Sequence, residues 1–214
     1  MARIVETTVY ELGELSGSAR ERARAWYRES CLDWDWHECI YEDFETVCEL
    51  LGVTLRTCAV RLMGGGTRET PRVFFAGFWN QGDGASFEGV YRYAQGACAT
   101  IRTHAPKDPE LHAIADALAD IQRRNFYQLV ADICQRGPYC HEYTMAIDVE
   151  RDSPTWQDAT DDACEAIVEA MRDLARWHYR QLEREYRYLS SDEAVDETIL
   201  ANDFSFTADG LRFG

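Results

Sequence analysis

The stretch from Asp158 to Leu189 limits the fold more than any other part of this chain. Ile167, Met171, Leu174, His178, Leu182 and Leu189 recur at the spacing of one helix face, which predicts a single long helix. Such a helix carries an apolar stripe that it cannot bury on itself, so the rest of the chain has to supply a surface for it. Three strand-like segments precede it: Val53 to Met63, Val73 to Trp79, and Phe87 to Tyr93, where apolar and polar residues alternate. They are separated by Gly64-Gly65-Gly66 and by Gly82-Asp83-Gly84, both of which read as turns. The expected arrangement is an antiparallel, meander-like sheet packed against several helices, an α+β fold.

The remaining segments fit that plan. Arg3 to Leu12 reads as a strand, and Ser16 or Ser18 caps a helix with Ala19, Ala23, Trp26 and Tyr27 on one side and Arg20, Arg24 and Arg28 on another. "CLDWDWHECIYEDFETVCELLG" keeps a helical period through Trp36, Ile40, Phe44, Val47 and Leu51, and stops at Gly52. Asp108-Pro109 starts a helix whose face runs from Leu111 to Leu129, with Gly137-Pro138 as its break. Tyr143 to Val149 reads as a strand. Ser190 with Glu193 forms a capping box, and "FSFTADGLRF" is a closing strand with a turn at Asp209-Gly210. No linker composition or internal repeat interrupts the 214 residues, so they read as one domain over 1–214.

The segment "FWNQGDGASFEG", Phe78 to Gly89, is the candidate site. Gly82 and Gly84 allow positive φ and a tight reversal, and the turn projects Trp79, Asn80, Gln81, Asp83, Ser86 and Glu88 from one hairpin end. His141 in "GPYCHEY" is expected near Asp83 or Glu88, in a polar network with the hairpin. A catalytic role for Ser86 lacks the Gly-x-Ser-x-Gly nucleophile elbow, and the loop lacks the Lys-Ser/Thr of a phosphate-binding loop. Three readings stand side by side: a hairpin whose polar side chains satisfy its own backbone, a loop that meets a ligand or partner, and a catalytic loop without a recognised motif. No catalytic residue is assigned.

Charge narrows the choice of partner. The net charge is -16, and residues 142–214 hold 18 acidic and 7 basic side chains, so most of the imbalance lies there. Such a field repels phosphate and attracts basic partners, with Asp158, Asp161 and Asp162 as the steering group. Arg172, Arg176, Arg180, Arg184 and Arg187 line the long helix, but Glu169, Asp173, Glu183 and Glu185 lie among them, so an ion-paired face is expected there. Cys140, His141 and Glu142, with Asp33, Asp35, His37, Glu38 and Cys39, could make a mixed zinc site, yet neither group has ligand spacing; no metal and no cofactor is expected. The eight scattered cysteines read as small buried residues, and Trp34, Trp36, Trp79, Trp156 and Trp177 mostly as core. Nothing resembles a signal peptide, and no apolar stretch has the length of a membrane span; a cytoplasmic location in a host cell is expected.

Three segments, "FFAGFWNQGDGASFEGVY", "RRNFYQLVADICQRGPYCHEYTM" and "LEREYRYLSSDEAVDETILANDFSFTADG", resemble an uncharacterised family of phage and prophage proteins, some labelled antitoxin-like. The resemblance runs along most of the chain and brings no catalytic residues with it. It implies a host-directed role: blocking a defence complex, neutralising a toxin, or adjusting nucleic-acid metabolism. The expected function is an acidic binding protein that inhibits or sequesters a basic host protein or nucleoprotein complex. The alternative is an enzyme or small-ligand sensor built on Asp83, Ser86, Glu88 and His141.

Overall fold

The computed structural model describes residues 6–32 and 36–214. In chain order the elements are α1 (Gly17–Ser30), α2 (Glu38–Leu51), β1 (Val53–Leu55), β2 (Thr57–Arg61), β3 (Thr67–Pro71), β4 (Val73–Phe75), β5 (Ala85–Phe87), β6 (Gly89–Arg92), α3 (Ala97–His104), α4 (Pro109–Arg124), β7 (Leu129–Gln135), β8 (Met145–Arg151), α5 (Asp161–Leu189), α6 (Asp192–Ala201), β9 (Ser205–Phe206) and β10 (Arg212–Phe213). The fold is α+β, and every paired strand is antiparallel. The chain divides into two compact units, residues 39–182 and residues 1–38 with 183–214. Neither boundary falls at a linker: one lies at the start of α2 and the other inside α5.

In the larger unit, β6, β7 and β8 form a meander with β1 beside β6. Val53, Tyr91, Leu129, Ala131 and Ile133 point from this sheet into a core shared with Phe44, Leu51, Leu111, Leu118, Ile167, Met171 and Leu174 of the helices. The stripe of α5 is thus buried from Ile167 through Leu182. Asp108 joins two helices: Oδ1 accepts the N–H groups of Glu110 and Leu111 at 3.2 and 3.0 Å, and Oδ2 accepts the Trp177 indole N–H at 2.8 Å.

Two of the three expected strands are interrupted, at Arg56 and at Glu88, while the one expected from Val73 to Trp79 stops at Phe75 and has β3 immediately before it. Arg56, Arg72 and Glu88, the breaks between consecutive strands, form a ring of backbone hydrogen bonds. Arg56 N–H donates to Glu88 C=O (2.9 Å), Glu88 N–H to Arg72 C=O (2.9 Å), and Arg72 N–H to Arg56 C=O (2.7 Å). Three antiparallel pairs diverge from this ring: β1 with β6, β2 with β3, and β4 with β5. Each break residue therefore keeps backbone partners while its chain changes partner strand. Next to the ring, β1 and β6 approach so closely that a Cβ on Gly89 would lie 2.6 Å from Thr54 O.

Two further expectations change. The helix begun at Pro109 ends at Arg124, and Leu129–Gln135 is strand β7 instead of its continuation. Phe126 and Tyr127 adopt left-handed φ values of 57° and 61°, which ends the helix, and burial then alternates with period two from Leu129. Helix α3 was not foreseen. The start of the strand expected from Arg3 lies outside the described residues; within 6–12 it is reduced to a bridge between Tyr10 and Phe206. Asp33, Trp34 and Asp35 also lie outside them.

The smaller unit has its own core of Leu12, Leu15, Ala19, Ala23, Val195, Ile199 and Phe206, with Trp26 edge-on to Phe204 and Phe206. The arginine face of α1 meets the acidic start of α6. Arg24 holds Asp196 through two bonds of 2.7 and 2.6 Å and reaches Asp192 at 2.6 Å, while Arg28 donates to Asp192 and to the Ser190 carbonyl.

Two predictions follow from these contacts. Gly89→Ala should lower the stability of the larger unit by about 1–3 kcal/mol in denaturant unfolding, because the clash is with backbone and cannot be relieved by a side-chain rotation. The Arg24 hydrogen bond lowers the Asp196 pKa below the ordinary carboxylate value. A depressed acid stabilises the fold above its unfolded pKa, about 3.9, and loses that contribution as pH falls through the lower folded value. Asp196→Asn should therefore cost about 1 kcal/mol at neutral pH, and the gap from wild type should close below about pH 4 in unfolding titrations.

Candidate functional site

The loop after β4 is closed by one carboxylate. Asp83 Oδ2 accepts the N–H groups of Trp79 and Asn80 at 2.7 and 2.6 Å, and Asp83 N–H donates to Asn80 C=O at 3.1 Å. These bonds account for two amides that the reversal would otherwise leave without a protein acceptor. Beneath the turn, the Phe75, Phe78 and Tyr179 rings pack together, and the Tyr179 hydroxyl donates to Gly77 C=O. Gly82 has φ 96° and lies directly against the Tyr139 ring. Gly84, expected to need positive φ, does not adopt it. It is required for space: a Cβ there would sit 2.7 Å from His141 Cα and 2.9 Å from Cys140 O.

The loop thus rests on the segment between β7 and β8. Tyr139, His141 and Tyr143 alternate along that segment, and their rings follow one another at centroid spacings of 6.3 and 6.1 Å. His141 Nδ1 accepts the Tyr143 N–H at 3.2 Å, and Thr144 Oγ donates to His141 C=O at 2.6 Å. Gln135 links the ends of the segment, donating to Tyr139 C=O and accepting from Thr144. The Tyr143 ring lies 5.1 and 5.6 Å from the Arg172 and Arg176 guanidiniums. Arg176 is held in turn by Glu142, Glu169 and Asp173 at 3.1, 2.8 and 2.6 Å.

The predicted residues separate into two groups. Trp79, Asn80 and Gln81 face solvent, and Trp79 is 83% exposed. Asp83 is half-buried and holds the turn. Ser86 (1% exposed) and Glu88 (8%) are buried in and beside β5. Glu88 accepts from Arg72 Nε at 2.5 Å and from the Gln135 N–H at 3.2 Å. The expected contact of His141 with Asp83 or Glu88 is replaced by packing against Gly84, since Glu88 points to Arg72. Asp158, Asp161 and Asp162 are exposed at and just before the start of α5. Tyr139 and Tyr143 were overlooked, although the period-two pattern Tyr-x-His-x-Tyr signals one extended face. Trp156, grouped with the core tryptophans, is exposed, as is Trp79 on its turn, whereas Trp177 is buried.

The arginines of α5 carry acidic partners: Arg172 with Glu169, Arg176 as above, Arg180 with Glu110, and Arg187 with Glu183. Burial pushes the Cys140 thiol pKa above its ordinary value and nearby Asp83 adds to the rise, so the thiol stays protonated near neutral pH and is a poor nucleophile. Among the described residues, no three His, Cys, Asp or Glu side chains gather as metal ligands, and no helix is long and apolar enough to cross a membrane.

Fold and site together define an α+β protein with an exposed aromatic and amide face on a braced pair of loops. Residues 36–192 match the family described as Domain of unknown function (DUF8835), and the chain belongs to that family. The match contains the whole larger unit and this face. No curated protein and no solved structure matches the chain.

If Asp83 is the clasp of the loop, its two substitutions should differ. Asp83→Asn keeps an acceptor oxygen and should shift stability by less than about 1 kcal/mol, while Asp83→Ala leaves both amides without it and should cost about 1–2 kcal/mol in thermal unfolding.

Proposed function

We propose that this chain is a non-catalytic binding protein whose contact face is Trp79, Asn80 and Gln81 with Tyr139, His141 and Tyr143. The observation that carries this reading is the exposure of Trp79 at 83% on a turn whose only acid is consumed in closing it. A large aromatic held outward on a braced turn, beside tyrosines and side-chain amides, has the make-up of protein-contact hot spots and paratopes. Its partner is basic: with a net charge of -16, attraction brings such a protein in, and the exposed Asp158, Asp161 and Asp162 contribute to steering. The resemblance to phage and prophage proteins supports a partner in a host cell, a nucleic-acid-binding defence complex or a toxin that this protein inhibits or sequesters. Direct nucleic-acid binding is disfavoured by the charge and by the acidic partners along α5.

The rival reading, an enzyme or ligand sensor on Asp83, Ser86, Glu88 and His141, has less support. Those side chains do not converge: one closes a turn, one is buried in β5, and one is paired to Arg72. Capture from host lysate followed by binding kinetics tests the proposal. Trp79→Ala should weaken the captured partner by at least about tenfold, mainly through faster dissociation, with melting unchanged. Changing Asp158, Asp161 and Asp162 to Asn should slow association and flatten its salt dependence. Binding indifferent to Trp79→Ala would remove the contact face, and salt-independent association would remove the steering role.

A further inference from the structure

At the end of the sheet where β8 finishes, the chain forms an open pocket of about 660 Å³. Trp156 lies on its wall and is 94% exposed, with left-handed φ of 56°. Its position is set locally: the Trp156 N–H donates to Ser153 C=O at 3.1 Å, and Ser153 Oγ accepts the Thr155 N–H. Three carboxylates, Glu150, Asp152 and Asp158, and two guanidiniums, Arg92 and Arg151, complete the charged part of the wall. The guanidiniums have partners already. Arg92 lies 3.7 Å from Asp152, while Arg151 donates to Gln128 Oε1 at 3.0 Å and covers the Phe126 ring. Among the described residues, Glu150 and Asp158 have no ion-pair partner. The pocket therefore carries one negative charge in excess beside an indole that none of the described residues covers.

We infer that this pocket receives an arginine side chain of the partner. A guanidinium is the cation whose chemistry fits: it is planar, stacks on an indole, and donates in a fork to a carboxylate, whereas an ammonium offers only a compact point charge. One guanidinium also neutralises the excess charge. The partner's basic character is taken from the function proposed above, but affinity for guanidinium follows from the pocket alone and is measured without any partner. Asp158, named from the sequence for long-range steering, then acquires a contact role.

The test uses the purified full chain and a blocked arginine, N-acetyl-arginine amide, with the lysine and citrulline analogues as controls. The Trp156 indole N–H resonance is assigned by its loss in Trp156→Asn, a change that suits a left-handed backbone. Saturable shifts of this resonance by the arginine probe are expected, with citrulline inert and the lysine probe weaker by about threefold or more. Asp158→Asn and Glu150→Gln should each weaken the arginine probe by about threefold to tenfold, with unfolding unchanged. No shift, equal response to lysine and arginine probes, or arginine binding unchanged by both carboxylate variants would overturn the inference. Such a failure leaves the Trp79 face standing, because partner capture reads that face separately; loss of partner binding in Trp79→Ala with an inert pocket would reject this inference alone.

Discussion

Three backbone hydrogen bonds, joining Arg56, Arg72 and Glu88 in a ring, set the shape of the larger unit. A strand that leaves one partner for another normally strands an N–H or C=O at the crossover, and burying such a group costs about 1–3 kcal/mol. Here each break residue supplies a donor to one neighbour and an acceptor to the other. Three antiparallel pairs can therefore leave the ring in different directions without an unmet group at its centre. The side chains strengthen the same point: Arg72 pairs with Glu88, Glu88 also accepts from β7, and Arg56 reaches Asp132 at 2.5 Å and the Ile133 carbonyl. Glu88 is thereby removed from the list of groups free to meet a partner.

That ring positions β4 and β5, and with them the loop that joins them. Asp83 closes the loop, Gly82 and Gly84 let it lie flat on residues 139–141, and the aromatic cluster around Tyr179 supports it from below. The proposed contact face falls to Trp79, Asn80 and Gln81 because the two acids of the motif, Asp83 and Glu88, are engaged within the fold. A surface of this kind loses little side-chain or loop freedom on association, which leaves more of the contact energy as affinity.

The acids of the chain serve two purposes. Asp83, Asp108, Asp196 and Glu88 each hold named donors and stabilise, in that order, a turn, a helix start, a helix pair and the strand ring. Asp158, Asp161 and Asp162 are exposed, and the last two occupy the first turn of α5, where negative charge also complements the helix dipole. Substituting those two therefore alters helix stability as well as the external field, whereas Asp158 lies outside the helix, on the wall of the Trp156 pocket.

Much of the fold was legible in the residues. The stripe of α5, the Asp108-Pro109 start of α4, the strand-forming character of 53–93 and the final hairpin all rest on local period, capping and turn chemistry, which the chain carries wherever it is placed. The site was legible only in part. Trp79, Asn80 and Gln81 lie at a turn, as the Gly-rich motif required, but Ser86 and Glu88 look equally polar on paper and are buried. The fate of Glu88 depends on Arg72 and Gln135, the latter 47 residues away in the chain. The partner changes at Arg56, Arg72 and Glu88 were hidden for the same reason: a strand's composition reports that it pairs, not with which strand. The end of α4 turned on Phe126 and Tyr127 in left-handed conformations that aromatic residues rarely adopt and that surrounding contacts must sustain. Sequence alone determined the long helix, the capped helix starts, the strand-forming segments and the sign of the charge. Tertiary structure decided which acids are consumed internally and which aromatics remain in water, because burial and hydrogen-bond partnership are set by residues distant in the chain.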